Sequence, residues 1–263
     1  MSAQPPNAAL LGSGLPYFEP ARPRVLAHRG LALEAPENSL LAFAHALALG
    51  VTHLETDVHA SADGVAVIAH DPDLSRVAGR PQRVDQVTVA ELARLDLGAA
   101  QHMPTLAETL DAFPDARFNI DLKSADAVAP AIEAVRAARA VDRVLLTSFS
   151  ERRRRAALAQ LPGVATSASG PRFAAALLAS VVRGGPLVRA ALRGLHAVQI
   201  PARAIGLDTV SPVRIRAFHA AGVEVHVWTI NDADEMRRLL SRGVDGIVTD
   251  RADVAVQVVA ALE

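Results

Sequence analysis

The stretch "RVLAHRGLALEAPENSLLAFAHALALG", residues 24–50, decides how the rest of the chain is read. It opens with RVLAH (24–28), an apolar run that predicts a buried strand. It closes with NSLLAFAHALALG (38–50), whose apolar spacing and terminal Gly50 predict a helix. Between the two stand His28, Arg29, Glu34, Glu37 and Asn38. Ionisable groups crowded at the end of an apolar strand need a reason, because an unpaired charge in an apolar setting is costly.

The same strand-then-helix unit recurs down the chain. Further strands are predicted over 53–58, 117–123, 143–149, 163–168, 197–200, 224–230 and 246–250. Helices are predicted over 125–140, 151–161, 172–195, 211–221 and 233–241, with a last one after 250. One more strand, 65–70, follows the turn SADG. Repeated units of this kind imply parallel strands joined by crossover helices. Setting 65–70 aside, about eight units fit, the number that closes a (β/α)₈ TIM barrel of the α/β class. No G-x-G-x-x-G follows the first strand, which removes the usual argument for a doubly wound open sheet. Residues 72–105 interrupt the rhythm with TVAELARLDLG, one short helix, and little strand pattern. They read as a small insertion over one rim of the barrel, after the second strand and its hairpin. The expected organisation is a lead-in, 1–23, and one barrel domain, 24–263, that contains the insertion.

Composition narrows the partners. Hydrophobic residues make up 51% of 263, enough for a sizeable core. A net charge of −1 and only 3% aromatics argue against a nucleic-acid binder. The run RRRR at 152–155 is expected on a solvated helix face. The absence of cysteine excludes disulfides, zinc–thiolate sites and a thiol nucleophile. Residues 1–20 show no basic start and no long apolar run, so no signal peptide is expected. No stable membrane insertion and a cytoplasmic location are expected too.

In a parallel barrel the active site lies at the carboxyl ends of the strands. His28 and Arg29 end the first strand. Glu55 and Asp57 are two apart on the second and share a face; Asn119, Asp121 and Lys123 do the same on a later one. A hairpin symmetric about Asp63-Gly64 places Asp57 opposite His70. His28, Glu55, Asp57 and His70 then converge. Carboxylate oxygens suit Mg²⁺ or Ca²⁺, and Arg29 and Lys123 suit a phosphate. Together they point to phosphoester chemistry. Singly, each has a plainer account: a strand-end His is commonly a hydrogen-bonded structural residue, and the carboxylates can serve as ion-pair partners of Arg29 or Lys123. Gln199 is a candidate substrate contact at the end of its strand, and His226 shares a strand face with Trp228.

The chain resembles the glycerophosphodiester phosphodiesterase family. The segments that carry the resemblance run in the family's order: AHRG, APENSLLAF, LETDV, SADGVAVIAHDPDLSR, TVAELARLDLG, MPTLAETL, NIDLKS, VHVWTIND and GVDGIVTD, from Arg24 to Asp250. The resemblance implies a (β/α)₈ barrel and a metal-dependent enzyme that hydrolyses glycerophosphodiesters to sn-glycerol 3-phosphate and an alcohol. His28 and His70 match its acid–base pair. Glu55, Asp57 and Asp121 match the ligands of one divalent cation, Mg²⁺ or Ca²⁺. Arg29 and Lys123 match phosphate-binding residues, and Trp228 an aromatic against the glycerol. Glu37 and Asn38 fall in the PEN segment that helps hold the site. Asp121 stands where the family usually carries glutamate in an E-x-K motif, so its shorter arm either reaches the cation through water or draws it deeper.

Two rival readings remain. One is a phospholipase D-like enzyme acting on lipid head groups, for which the apolar, arginine-dotted stretch 171–195 could touch a membrane, although Gly184-Gly185-Pro186 interrupts any long helix there and favours a barrel helix and loop. The other is a non-catalytic barrel that binds a phosphorylated metabolite, which would have no need of paired histidines.

Overall fold

The computed structural model describes residues 14–262. Its strands are β1 (Arg24–His28), β2 (His53–Ala60), β3 (Ala66–Ile68), β4 (Arg117–Leu122), β5 (Val144–Thr147), β6 (Ala165–Thr166), β7 (Ala197–Pro201), β8 (Arg203–Ala204), β9 (Leu207–Asp208), β10 (Glu224–Trp228) and β11 (Gly246–Thr249). Its helices are α1 (Leu40–Ala48), α2 (Ser75–Ala78), α3 (Val89–Leu92), α4 (Leu106–Ala112), α5 (Val128–Ala137), α6 (Glu151–Leu158), α7 (Gly170–Val181), α8 (Gly185–Leu192), α9 (Pro212–His219), α10 (Ala233–Ser241) and α11 (Ala252–Ala260). Eight of the described strands pair in the order β6-β5-β4-β2-β1-β11-β10-β7, every pair parallel. A parallel bridge between Ser167 and Ala197 brings the two ends of this sheet together. The TIM barrel expected from the recurring units is the observed fold.

Strand alternation sets which side chains face the helices and which fill the barrel. On β2 and β4, Leu54, Val58, Phe118 and Ile120 pack with Phe43 of α1 and Ala131 and Ile132 of α5. The intervening residues Glu55, Asp57, Asn119 and Asp121 face inward. On β10, Val225 and Val227 pack outward with Phe218 of α9 and Leu239 of α10. The barrel interior of these strands is therefore polar, which is what breaks their apolar runs in the sequence.

The amino end of the barrel is closed. Arg24 places Nε and Nη2 on the two carboxylate oxygens of Glu224, both at 2.9 Å, and also bonds the carbonyls of Phe18 and Pro20. His226 Nε2 lies 3.0 Å from Glu224. Of the lead-in, residues 1–13 lie outside the described residues. A 3₁₀ turn, Pro16–Phe18, buries Tyr17 edge-on to His53 and packs it with Leu145, Ala165 and Ala197.

Several expectations need correction. β2 and β3 pair Val58 with Ile68 and His59 with Val67, so the hairpin centres on Asp63 rather than on Asp63-Gly64. The loop has three residues, with Gly64 at φ +76°, a left-handed conformation that glycine adopts at little cost. Asp57 thus falls opposite Ala69, whose N–H it accepts at 3.0 Å, and His70 lies one residue beyond. The stretch 172–195 breaks at Gly184-Gly185-Pro186, as that segment implies, but continues as a second helix rather than a loop. Arg183 takes positive φ, Gly184 closes the end of α7 on the Ala179 carbonyl, and Pro186 opens α8. Helix α4 went unpredicted, although Thr105 and Glu108 form a complete capping box there. α1 starts at Leu40, later than expected, because Asn38 sits at φ +57° and Ser39 caps the helix. In the run 152–155, Arg154 is buried, held by Glu151 at 2.8 Å and close to Thr166, while Arg152 and Arg155 are exposed. Residues 72–105 carry a small apolar cluster built on Leu74, Val84, Leu92, Leu95 and Met103.

Candidate active site

A cavity of about 410 Å³ opens at the carboxyl ends of the strands. His28, Arg29, Glu55, Asp57, His70, Asp121, Lys123 and Trp228 all line it, together with Asn119 and Gln199. The sequence places His28, Arg29, Glu55, Asp57 and Gln199 at the ends of their strands, Asn119, Asp121 and Lys123 on one face of a later strand, and Trp228 here through the resemblance. The one-residue shift of the hairpin does not remove His70, because its chain has already left the strand and its ring turns to the cavity.

The cavity has two unlike walls. Charged groups from β1, β2, β4 and the segment after β3 form one. Ala168, Phe173, Pro201, Trp228 and Phe149, from strands β7 and β10, the loops after β5 and β6 and the first turn of α7, form the other. Phe149 is 63% exposed at the rim and meets Trp228 edge-on at 6.2 Å. Sequence patterning had not singled out Phe149 or Phe173, since isolated aromatics carry no spacing signal.

On the charged wall three carboxylates share few cations. Lys123 Nζ lies between Asp57 Oδ1 at 2.9 Å and Asp121 Oδ2 at 2.8 Å. Burial works against its charge, but the two aspartates outweigh that and push its pKa up to about 12. Arg29 Nε lies 3.3 Å from Asp57 Oδ2, and its Nη1 bonds Glu37 at 2.9 Å. Asn38 Nδ2 donates to Asp57 at 3.3 Å. Glu55 pairs with no Lys or Arg side chain; its Oε2 accepts only the Arg29 backbone N–H, at 3.3 Å. Burial, and then the charge of Asp57, push its carboxyl up to about 8. Burial also raises Asp121 against the pull of Lys123. Asp121 Oδ1 and Asn119 Oδ1 are buried with no hydrogen-bond partner.

Each imidazole is backed by a carboxylate. His28 Nδ1 lies 2.6 Å from Asp250 Oδ1, and its Nε2 is 3.9 Å from Glu55. Burial opposes the charged ring, but the Asp250 hydrogen bond and the charge of Glu55 hold its pKa above the ordinary histidine value. His70 Nδ1 lies 2.7 Å from Asp71, which Arg76 Nε also contacts at 2.6 Å. Arg76 Nη2 reaches Glu37 at 2.7 Å, so a chain of ion pairs runs from His70 to Arg29 around the rim. Asp71, Arg76, Asn231 and Asp250 were missed as supporting residues. The adjacency in "HD" and the polar ends of "WTIND" and "IVTD" were the available signals.

Residues 28–254 match the model of the glycerophosphoryl diester phosphodiesterase family. The chain belongs to that family. A relative described as probable glycerophosphodiester phosphodiesterase 2, from Mycobacterium tuberculosis, is 44% identical over 231 residues, 87% of this chain and 88% of its own. A crystal structure of a putative family enzyme from Silicibacter pomeroyi superposes with a TM-score of 0.81 at 27% identity, over 95% of this chain and 98% of that one. An Oleispira antarctica phosphodiesterase, solved in complex with the product sn-glycerol-3-phosphate, does so with 0.75 at 26% identity, over 91% and 97%. Family membership makes the chain an enzyme, a phosphoric diester hydrolase. Among the described residues no helix is long and apolar enough to cross a membrane.

Proposed function

We propose that this cavity hydrolyses glycerophosphodiesters to sn-glycerol 3-phosphate and an alcohol. One observation carries the reading: two imidazoles, two cationic side chains, three carboxylates and a tryptophan, all on motifs legible in the sequence, line a single cavity. A site that only bound a phosphorylated metabolite would have no use for two carboxylate-backed imidazoles.

The charged wall suits a hard divalent cation. Two buried oxygens, Asp121 Oδ1 and Asn119 Oδ1, have nothing to accept from, and Glu55 is a buried carboxyl with no Lys or Arg side chain paired to it. Among the described residues no three acidic or imidazole groups stand ready-made around an ion, and Lys123 bridges Asp57 and Asp121. Glu55, Asp57 and Asp121 would hold one Mg²⁺ or Ca²⁺, whose contribution is to offset charge growing on the phosphoryl oxygens.

The chain's own residues do the rest. Arg29 and Lys123 bind the phosphoryl group and stabilise its transition state. One of His28 and His70 takes the proton of the attacking oxygen, and the other protonates the leaving alkoxide. Imidazole serves both directions because its pKa lies near neutrality. Trp228 packs against the glycerol carbons.

Incubation with glycerophosphocholine and either cation should release sn-glycerol 3-phosphate, read by a coupled dehydrogenase. EDTA should stop the release and added Mg²⁺ or Ca²⁺ restore it. No turnover of any glycerophosphodiester with any divalent ion would refute the proposal. The exposed Phe149 beside Trp228 favours a second reading, in which the glycerol carries an acyl chain. Turnover of lysophosphatidylcholine in preference to glycerophosphocholine would support it.

A further inference from the structure

The two carboxylates behind the imidazoles are themselves held differently. The second oxygen of Asp71 is taken by a cation, Arg76. The second oxygen of Asp250 accepts from a neutral amide, Asn231 Nδ2, at 2.8 Å. Asn231 is in turn fixed: its Oδ1 accepts from the Asp250 backbone N–H at 2.9 Å and from the Thr249 hydroxyl at 3.0 Å. Those two donors also settle which way the amide faces.

Asp250 needs such a lock. Its side chain is 52% exposed. An aspartate that open ordinarily moves among rotamers and trades its partners for water. Asn231, just past the end of β10, ties it down beside the end of β11. The orientation of the His28 ring is thereby set by three neighbouring strands rather than by β1 alone. The cavity lining includes neither Asp250 nor Asn231.

We propose that Asp250, locked by Asn231, is a positioning residue for His28: it accepts a hydrogen bond from Nδ1–H, fixes that tautomer and leaves Nε2 without a proton toward the cavity. Nε2 is then the atom that exchanges a proton with substrate, a step that rests on the phosphodiesterase reading above. A carboxylate in this relation to an imidazole orients the ring and favours one tautomer without itself becoming protonated.

Asp250→Asn keeps the shape but replaces the acceptor with an amide that can donate to Nδ1, which forces the ring proton onto Nε2. The expected loss in kcat is on the order of 10²- to 10⁴-fold, with KM within about twofold and the melting temperature unchanged. In ¹⁵N–¹H spectra taken above the ring pKa, His28 should show Nδ1–H in the wild type and Nε2–H in the variant. Asn231→Ala leaves the carboxylate in place but unlocks it, and should cost about tenfold in kcat at unchanged KM. Retention of kcat within about threefold in Asp250→Asn, or the same tautomer in both proteins, overturns the proposal. Should Asp250→Asn fail to fold, an unchanged kcat in Asn231→Ala overturns it instead. A wild type inactive on every glycerophosphodiester would remove the phosphodiesterase reading, while the ring spectra would still decide the lock.

Discussion

The barrel holds buried charge at both ends, and the two ends treat it differently. At the amino end Arg24 and Glu224 meet in a two-pronged ion pair, the rest of the Arg24 guanidinium is used by backbone carbonyls, and the lead-in turn seals the layer. Hydrogen bonds from His226 and Arg24 outweigh burial and hold Glu224 down to about 2. At the carboxyl end Glu55 is pushed up to about 8, and two oxygens nearby have no donor. Asp121 Oδ1 and Asn119 Oδ1 belong to residues that line an open cavity, so they mark where a ligand belongs, whereas the equally unpartnered Tyr17 hydroxyl at the amino end is packed into the core. The amino end is built to stay shut, and the carboxyl end is left short of positive charge.

The sharpest break in this comparison is removal of either cavity imidazole. His28→Ala and His70→Ala should each cost on the order of 10³-fold in kcat, with the thermal midpoint near wild type, measured by glycerol 3-phosphate release and calorimetry. A large loss of fold in either would make the carboxyl end structural like the amino end. The opposite change is Glu224→Ala, which strands Arg24 in the interior. It should destabilise the chain by about 3–5 kcal/mol in denaturant titration and leave kcat of the folded protein unchanged.

A smaller effect follows from Glu55. Its carboxyl is raised from 4.5 to about 8 in the folded state. The folded chain therefore keeps a proton there that the unfolded chain releases. Stability on this account falls as pH rises from 4.5 toward 8 and levels off above it. Burial raises Asp121 as well, in the same direction. Glu55→Gln should flatten the pH dependence of the melting temperature across that window, and a divalent cation at pH 8 should raise the wild-type midpoint more than that of the variant. Trp228→Ala should have the least effect, raising KM about tenfold with kcat little changed, as the loss of an apolar wall predicts.

Much of the site was legible because its residues sit on short motifs locked to strand ends. The spacing of Glu55 and Asp57, and of Asp121 and Lys123, fixes a shared face once the strand is recognised, and the structure puts all four in the cavity. The hairpin register was not legible, since Asp63-Gly64 serves a two-residue or a three-residue loop equally well and only packing of β3 chooses. Arg154 illustrates the same limit: its sequence neighbours say solvent, and its position over β6 says otherwise.

The order of apolar runs, caps and glycines determined the alternation of strand and helix, and with it a parallel barrel, because these signals act over a few residues. Which side chains back the imidazoles was decided only by closure of the sheet. Asp250 lies 222 positions from His28 and reaches it because β11 pairs with β1. Likewise 200 positions separate Arg24 from Glu224. No local preference encodes such contacts, which exist only once the strands have found their neighbours.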